Sequence, residues 1–66
     1  MEIRVNGETR SVEPGLTVRG LLARLGVPPA RVVVERNGSV VPRAIHETET
    51  LEENDRVEIV RFVGGG

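Results

Sequence analysis

The sequence has 66 residues, no cysteine, nine basic and ten acidic side chains, and a formal net charge of −1. A chain of that length makes one domain that buries only about 60% of the surface it exposes when unfolded, so it holds one modest core and no deep pocket. A disulfide framework, a thiolate metal site and a cysteine nucleophile are excluded, and without a basic excess a nucleic-acid partner is not expected.

The chain opens on Met1-Glu2-Ile3-Arg4-Val5, where Ile3 and Val5 alternate with polar neighbours as in a half-buried strand. Nothing resembling a leader precedes this strand and the apolar runs fall far short of a membrane span, so a reducing cytoplasm is the expected location. Asn6-Gly7 predicts a tight hairpin, because both central turn positions need positive φ. The second strand is expected over Glu8 to Glu13, with Val12 inward and Thr9 and Ser11 as further candidates. Pro14-Gly15 breaks it.

Thr17 is placed to cap a helix. Val18, Leu21, Leu22 and Leu25 then fall at i, i+3, i+4 and i+7, one apolar stripe. Gly26 stops the helix, and Pro28-Pro29 prevents its resumption. Gly20 inside it costs about 0.5–1 kcal/mol relative to alanine; a close approach to a sheet is the expected reason. Val32-Val33-Val34 reads as a buried strand, and Asn37-Gly38 turns it back into Ser39-Val40-Val41. Arg43 to Thr50 shows neither clean period and reads as a helical turn plus loop, with Leu51 dropping into the core. Glu52-Glu53-Asn54-Asp55 is a polar turn, and Arg56 to Phe62 is the last strand, with Val57 and Ile59 inward.

Hairpin, helix, hairpin, loop and final strand predict an α+β, ubiquitin-like roll: a mixed sheet of four to five strands with the helix across one face. Residues 1–63 form the domain and residues 64–66 a flexible tail.

That tail, Gly64-Gly65-Gly66, is the first candidate for chemistry. With Val63 it reaches about 13 Å beyond the strand at roughly 3.3 Å per residue, and without Cβ atoms its glycines can thread a narrow channel. The reactive group is the Gly66 carboxylate, an anion and a poor electrophile until activated. Ordinary fraying of a glycine-rich end is the alternative. Beside the tail, Val60 breaks the inward alternation of Val57 and Ile59, and Phe62 is the lone aromatic residue. Either they form an apolar patch that leads a partner to the tail, or they mark a bulge or a ring curled over the core edge. His46, the single histidine, is expected as a solvated loop residue rather than a metal ligand with Glu47 and Glu49. The acidic stretch Glu47, Glu49, Glu52, Glu53 and Asp55 is expected as a solvated edge, with a docking patch as the alternative. No phosphate loop, dinucleotide fingerprint or nucleophile elbow is present, so catalysis by this chain is not expected.

Taken whole, the sequence resembles the ThiS family of sulfur carriers of thiamin biosynthesis. The resemblance rests on Val5-Asn6-Gly7-Glu8, on Thr17-Val18 with Leu21-Leu22, on Val41-Pro42-Arg43, and on Phe62-Val63-Gly64-Gly65-Gly66. It departs from the family at Glu53-Asn54-Asp55, where an Asp-Gly-Asp turn is common; Asn tolerates the same left-handed geometry. The resemblance implies a β-grasp fold and adenylation of Gly66 by a ThiF-like adenylyltransferase with ATP and Mg²⁺. It further implies conversion to a thiocarboxylate, with sulfur drawn from cysteine through a desulfurase, and delivery to thiazole synthase (ThiG). Gly64, Gly65 and Gly66 carry over as the segment threading the partner, and Val60, Phe62 and Val63 as its interface. This chain would bind no cofactor or metal itself and would be a monomer when isolated. A molybdopterin-type carrier and a ubiquitin-like modifier or binding module are the alternatives.

Overall fold

The computed structural model describes residues 1–62; Val63 and the expected Gly64-Gly65-Gly66 tail lie outside the described residues. Five strands form one mixed sheet: β1 (Glu2–Val5), β2 (Glu8–Ser11), β3 (Val32–Arg36), β4 (Ser39–Val41) and β5 (Arg56–Arg61). Their order is β2-β1-β5-β3-β4, with β1 and β5 parallel and the other neighbours antiparallel. The last strand in sequence therefore sits at the centre of the sheet. One helix, α1 (Val18–Leu25), crosses one face.

Both Asn-Gly turns form as the sequence predicts, with φ of 50° and 83° at Asn6-Gly7 and 52° and 88° at Asn37-Gly38. Each asparagine also does something that turn propensity does not show. Asn6 Oδ1 accepts from the Ile59 N–H at 2.8 Å, and Asn37 Oδ1 accepts from the Arg56 N–H at 2.9 Å. The two hairpin turns thus hold β5 from both sides. Replacing Asn37 with glycine keeps the turn conformation and removes its side-chain hydrogen bonds to Arg56 and Asp55. A loss of about 1–2 kcal/mol is expected, read from the urea midpoint.

Helix α1 starts where Thr17 accepts from the Gly20 N–H at 3.0 Å. It ends at Gly26, whose φ of 69° suits a residue without Cβ. Val18, Leu21 and Leu22 are fully buried against Ile3, Val5, Val34 and Val57 of the sheet, with Leu16, Val41 and Leu51 closing the core. Gly20 is explained differently from the expectation. A Cβ there would lie 2.8 Å from Leu16 Cδ1 and 3.4 Å from Thr17 Oγ1, so the crowding comes from the loop before the helix and not from the sheet.

Strand β2 ends at Ser11, two residues earlier than expected, and all four of its residues are exposed. Its register puts Thr9 opposite Arg4 and Ser11 opposite Glu2, on the face away from the helix. Thr9 and Ser11 therefore stay outside, and only Val12, just past the strand, enters the core.

His46 is the larger correction. It is 3% exposed, with Nε2 3.1 Å from the Val41 carbonyl oxygen. A short 3₁₀ turn at Arg43–Ile45 rolls the chain so that Ile45 faces out, 40% exposed, and His46 faces in. Its other nitrogen, Nδ1, is buried with no hydrogen-bond partner among the described residues. Glu47 pairs with Arg19 and Glu49 with Arg36, so neither glutamate joins the histidine.

The acidic stretch is likewise only partly a solvated edge. Arg36, at the end of β3, reaches Asp55 at 2.7 Å, Glu49 at 2.9 Å and Glu52 at 3.5 Å. Asp55 is 5% exposed and accepts in addition from Asn37 Nδ2 at 2.9 Å and the Glu52 N–H at 2.7 Å. Asn54 takes the left-handed conformation at φ 67°, as its place in the turn requires.

Candidate functional site

The site is built on the last turnings of β5. Because β5 is the central strand, its exit point is fixed by neighbours on both sides: β1 pairs with its start, and β3 pairs with it from Val57 to Arg61. The register is unbroken from Arg36–Val57 to Val32–Arg61, so no bulge shifts the alternation near Val60. Phe62 follows directly, its N–H donating to the Arg31 carbonyl at 2.9 Å. Whatever follows Phe62 leaves from a firmly anchored point.

Alternation then decides which side chains surround that point. Val57 is buried and Ile59 half-buried on the helix side. Val60 points to the open face, 53% exposed, beside Val33, its register partner on β3. Val40 on β4 is 60% exposed, and Phe62 is 47% exposed. Phe62 lines an open depression of about 320 Å³ with Val33, Val40, Pro42 and Arg43. Val40, Val60 and Phe62, with Ile45, are the exposed large apolar side chains among the described residues. Contiguous exposed apolar surface of this kind marks contact sites more often than scattered single residues do. Val60 and Phe62 are thus found where the sequence placed them, on exposed surface. Val63, Gly64, Gly65 and Gly66 fall outside the described residues.

Among the described residues no group of three or more His, Cys, Asp or Glu side chains is placed to hold a metal ion. The buried carboxylate of Asp55 is tied into hydrogen bonds from three donors. Burial alone would raise its pKa, but the bonds from Asn37, Glu52 and Arg36 outweigh that, and the group lies below the ordinary aspartate range. Such a carboxylate is a structural acceptor, unsuited to proton transfer near neutral pH. Among the described residues no helix is long and apolar enough to cross a membrane.

The sequence profile of the ThiS family matches residues 3–66, nearly the whole chain and the glycine run with it. The chain belongs to the ThiS family. A crystal structure of the thiamine biosynthesis protein ThiS from Geobacter metallireducens is similar over the full length of both chains, with 39% identity and a TM-score of 0.85. That places the five-stranded sheet and single helix in the β-grasp fold. The sulfur carrier protein ThiS of Bacillus subtilis is 38% identical over 50 residues, covering 76% of each chain. A thiazole synthase of Magnetococcus marinus is 47% identical over all 66 residues. The chain spans about a fifth of the length of the curated thiazole synthases it matches.

Within this ThiS-family chain, the exposed Val60 could be read from a break in alternation. The membership of Val33 and Val40 in the same patch could not. That depends on strand order, which sets β3 between β5 and β4.

Proposed function

We propose that this chain is a sulfur carrier for thiazole formation in thiamin biosynthesis, with the Gly66 carboxylate as the group that holds the sulfur. The observation that carries the reading is the family match through residues 3–66, which includes the glycine run, on a fold that anchors Phe62. The exposed apolar patch at Val60 and Phe62 supports it, since a tail with no recognition surface would have nothing to guide it.

The chemistry follows from the carboxylate being a poor electrophile. A ThiF-like adenylyltransferase with ATP and Mg²⁺ joins a Gly66 carboxylate oxygen to the α-phosphorus and releases pyrophosphate. A persulfide sulfur, derived from cysteine through a desulfurase, attacks the acyl carbon and AMP leaves; a thiol reductant then cleaves the S–S bond of the acyl disulfide and releases the thiocarboxylate. The thiocarboxylate then gives its sulfur to thiazole synthase. In this scheme Gly64, Gly65 and Gly66 thread the partner's active site because their lack of side chains lets backbone pass closely. Val60, Phe62 and Val63 form the contact that holds the tail in register. The chain acts as co-substrate and holds no ATP or metal of its own. That relatives called thiazole synthase include a region like this chain supports thiazole synthase as the receiving partner. The reducing, ATP-containing cytoplasm is the compartment that suits this chemistry.

Incubation with a cognate activating enzyme, ATP and a sulfur source should change the intact mass by one sulfur gained for one oxygen lost, located at Gly66 by fragmentation. An unchanged mass with an enzyme shown to be active would refute the proposal. Recovery of a molybdopterin synthase large subunit, and no thiazole synthase, on thiocarboxylate-bearing bait would redirect it to a molybdopterin-type carrier.

A further inference from the structure

The face of the sheet opposite the helix is ordered into bands. Along β5 the outward residues are Arg56, Glu58 and Val60, and each has a register partner of its own kind on a neighbouring strand. Arg56 lies beside Arg4 of β1, Glu58 beside Glu35 of β3, and Val60 beside Val33 of β3. Thr9 extends the first row beyond Arg4, and Val40 extends the second beyond Glu35. Successive rows are about 6.6 Å apart, two residues along a strand. From Arg4 onward the face therefore runs basic, acidic, apolar toward Phe62, with Glu2 one row behind Arg4.

Like charges on directly adjacent strand positions are destabilising, and here it happens in two consecutive rows. Exchanging one member of each row would give two opposite-charge pairs. Opposite charges meet only along β5, from Arg56 to Glu58, and on the diagonals Arg4 to Glu58 and Arg56 to Glu35. Among the described residues every ion pair uses Arg19, Arg24 or Arg36, and none involves Arg4, Glu35, Arg56 or Glu58. No ion pair among the described residues offsets the two like-charge rows. A partner with the complementary order does.

We infer that the open sheet face is a polarity-coded docking surface for thiazole synthase, whose matching surface presents apolar, then cationic, then anionic side chains in steps away from the tail's entry point. This inference rests on the carrier reading and adds which residues set orientation. The apolar row at Val60 and Val33, continuous with Phe62, supplies contact area. The Glu35–Glu58 and Arg4–Arg56 rows supply direction: a partner turned end for end would set its anionic row against Val60 and Val33 and its apolar row against the arginines, leaving charges desolvated without partners. A wrong orientation would aim the tail away from the active site. Complementary charge of this kind acts chiefly on association rate and partner choice.

The test is a band exchange: Arg4→Glu, Arg56→Glu, Glu35→Arg and Glu58→Arg in one protein, which leaves the formal net charge at −1. Binding to the cognate thiazole synthase, followed by surface plasmon resonance, should weaken by about tenfold or more at low salt, mainly through slower association, with the gap closing at high salt. A second variant, Glu35→Gln with Glu58→Gln, keeps the side-chain shapes and relieves one repulsive row. It should bind several-fold more weakly while its thermal midpoint stays level or rises. Band-exchanged protein that folds and binds within about twofold of the parent would overturn the inference and leave the carrier reading intact. Absence of binding by the parent protein itself would overturn both.

Discussion

Removal of Gly65 and Gly66 is expected to abolish thiocarboxylate formation and thiazole synthesis completely while leaving the fold as stable as before. The two halves of that result have separate causes. On the chemical side, the shortened chain still ends in a glycine carboxylate, that of Gly64, but it falls about 6.6 Å short of the original position. Displacements near 1 Å can already cost about a hundredfold in a positioned reaction, so the truncated end cannot reach the activating site. On the folding side, among the described residues the buried core ends at Val57, with Ile59 packed against it, and the Phe62 N–H donates to the Arg31 carbonyl. The urea midpoint should therefore move by less than about 0.5 kcal/mol equivalent, the range of an ordinary surface change. The truncated protein keeps the banded face, and it should compete with full-length carrier for thiazole synthase. Undiminished thiazole synthesis by the truncated chain would mean that docking alone is the function.

Local chemistry made most of the fold readable. Two Asn-Gly turns, a Thr17 cap, a four-residue apolar stripe and a Gly26 stop each act within a few residues, and all form as expected. What sequence did not reveal depends on residues far apart in the chain. The role of Asn6 and Asn37 in gripping β5 requires knowing that a strand more than fifteen residues further on lies between the two hairpins. His46 was misplaced because a 3₁₀ turn obeys neither the helical nor the strand period, so alternation across Ile45 and His46 carried no information. Asp55 looked like one more charge in a polar turn, since its burial depends on Arg36 arriving from β3. The candidate site divides the same way. Val60 and Phe62 announced themselves by breaking a pattern, whereas the bands across the open face exist only once β1, β5 and β3 lie side by side.

Replacing Asp55 with alanine is expected to destabilise the fold by about 2–4 kcal/mol at neutral pH. The figure follows from what the carboxylate leaves behind. Its oxygens accept from Arg36 Nε, Asn37 Nδ2 and the Glu52 N–H, and the Arg36 side chain is itself only 19% exposed. Deleting the acceptor strands three donors, one of them charged, and each unsatisfied buried group costs about 1–3 kcal/mol before solvent relaxation and the remaining Glu49 contact recover part. A domain of this length has a total stability of only about 3–10 kcal/mol, so the change removes a large share. Asp55→Asn should also destabilise, by about 1–3 kcal/mol, because its amide nitrogen would face a donor whichever way it turns. The pH dependence gives an independent signature. Hydrogen bonds outweigh burial and hold the Asp55 pKa below its unfolded value, so its contribution is fully present above about pH 4 and is lost as pH falls through the lower, folded value. Urea midpoints of parent and Asp55→Ala protein should therefore differ most at neutral pH and converge as the solution is acidified below about pH 4. A difference that stays constant across that range would mean the carboxylate's charge is not what holds Arg36 and Asn37 in place.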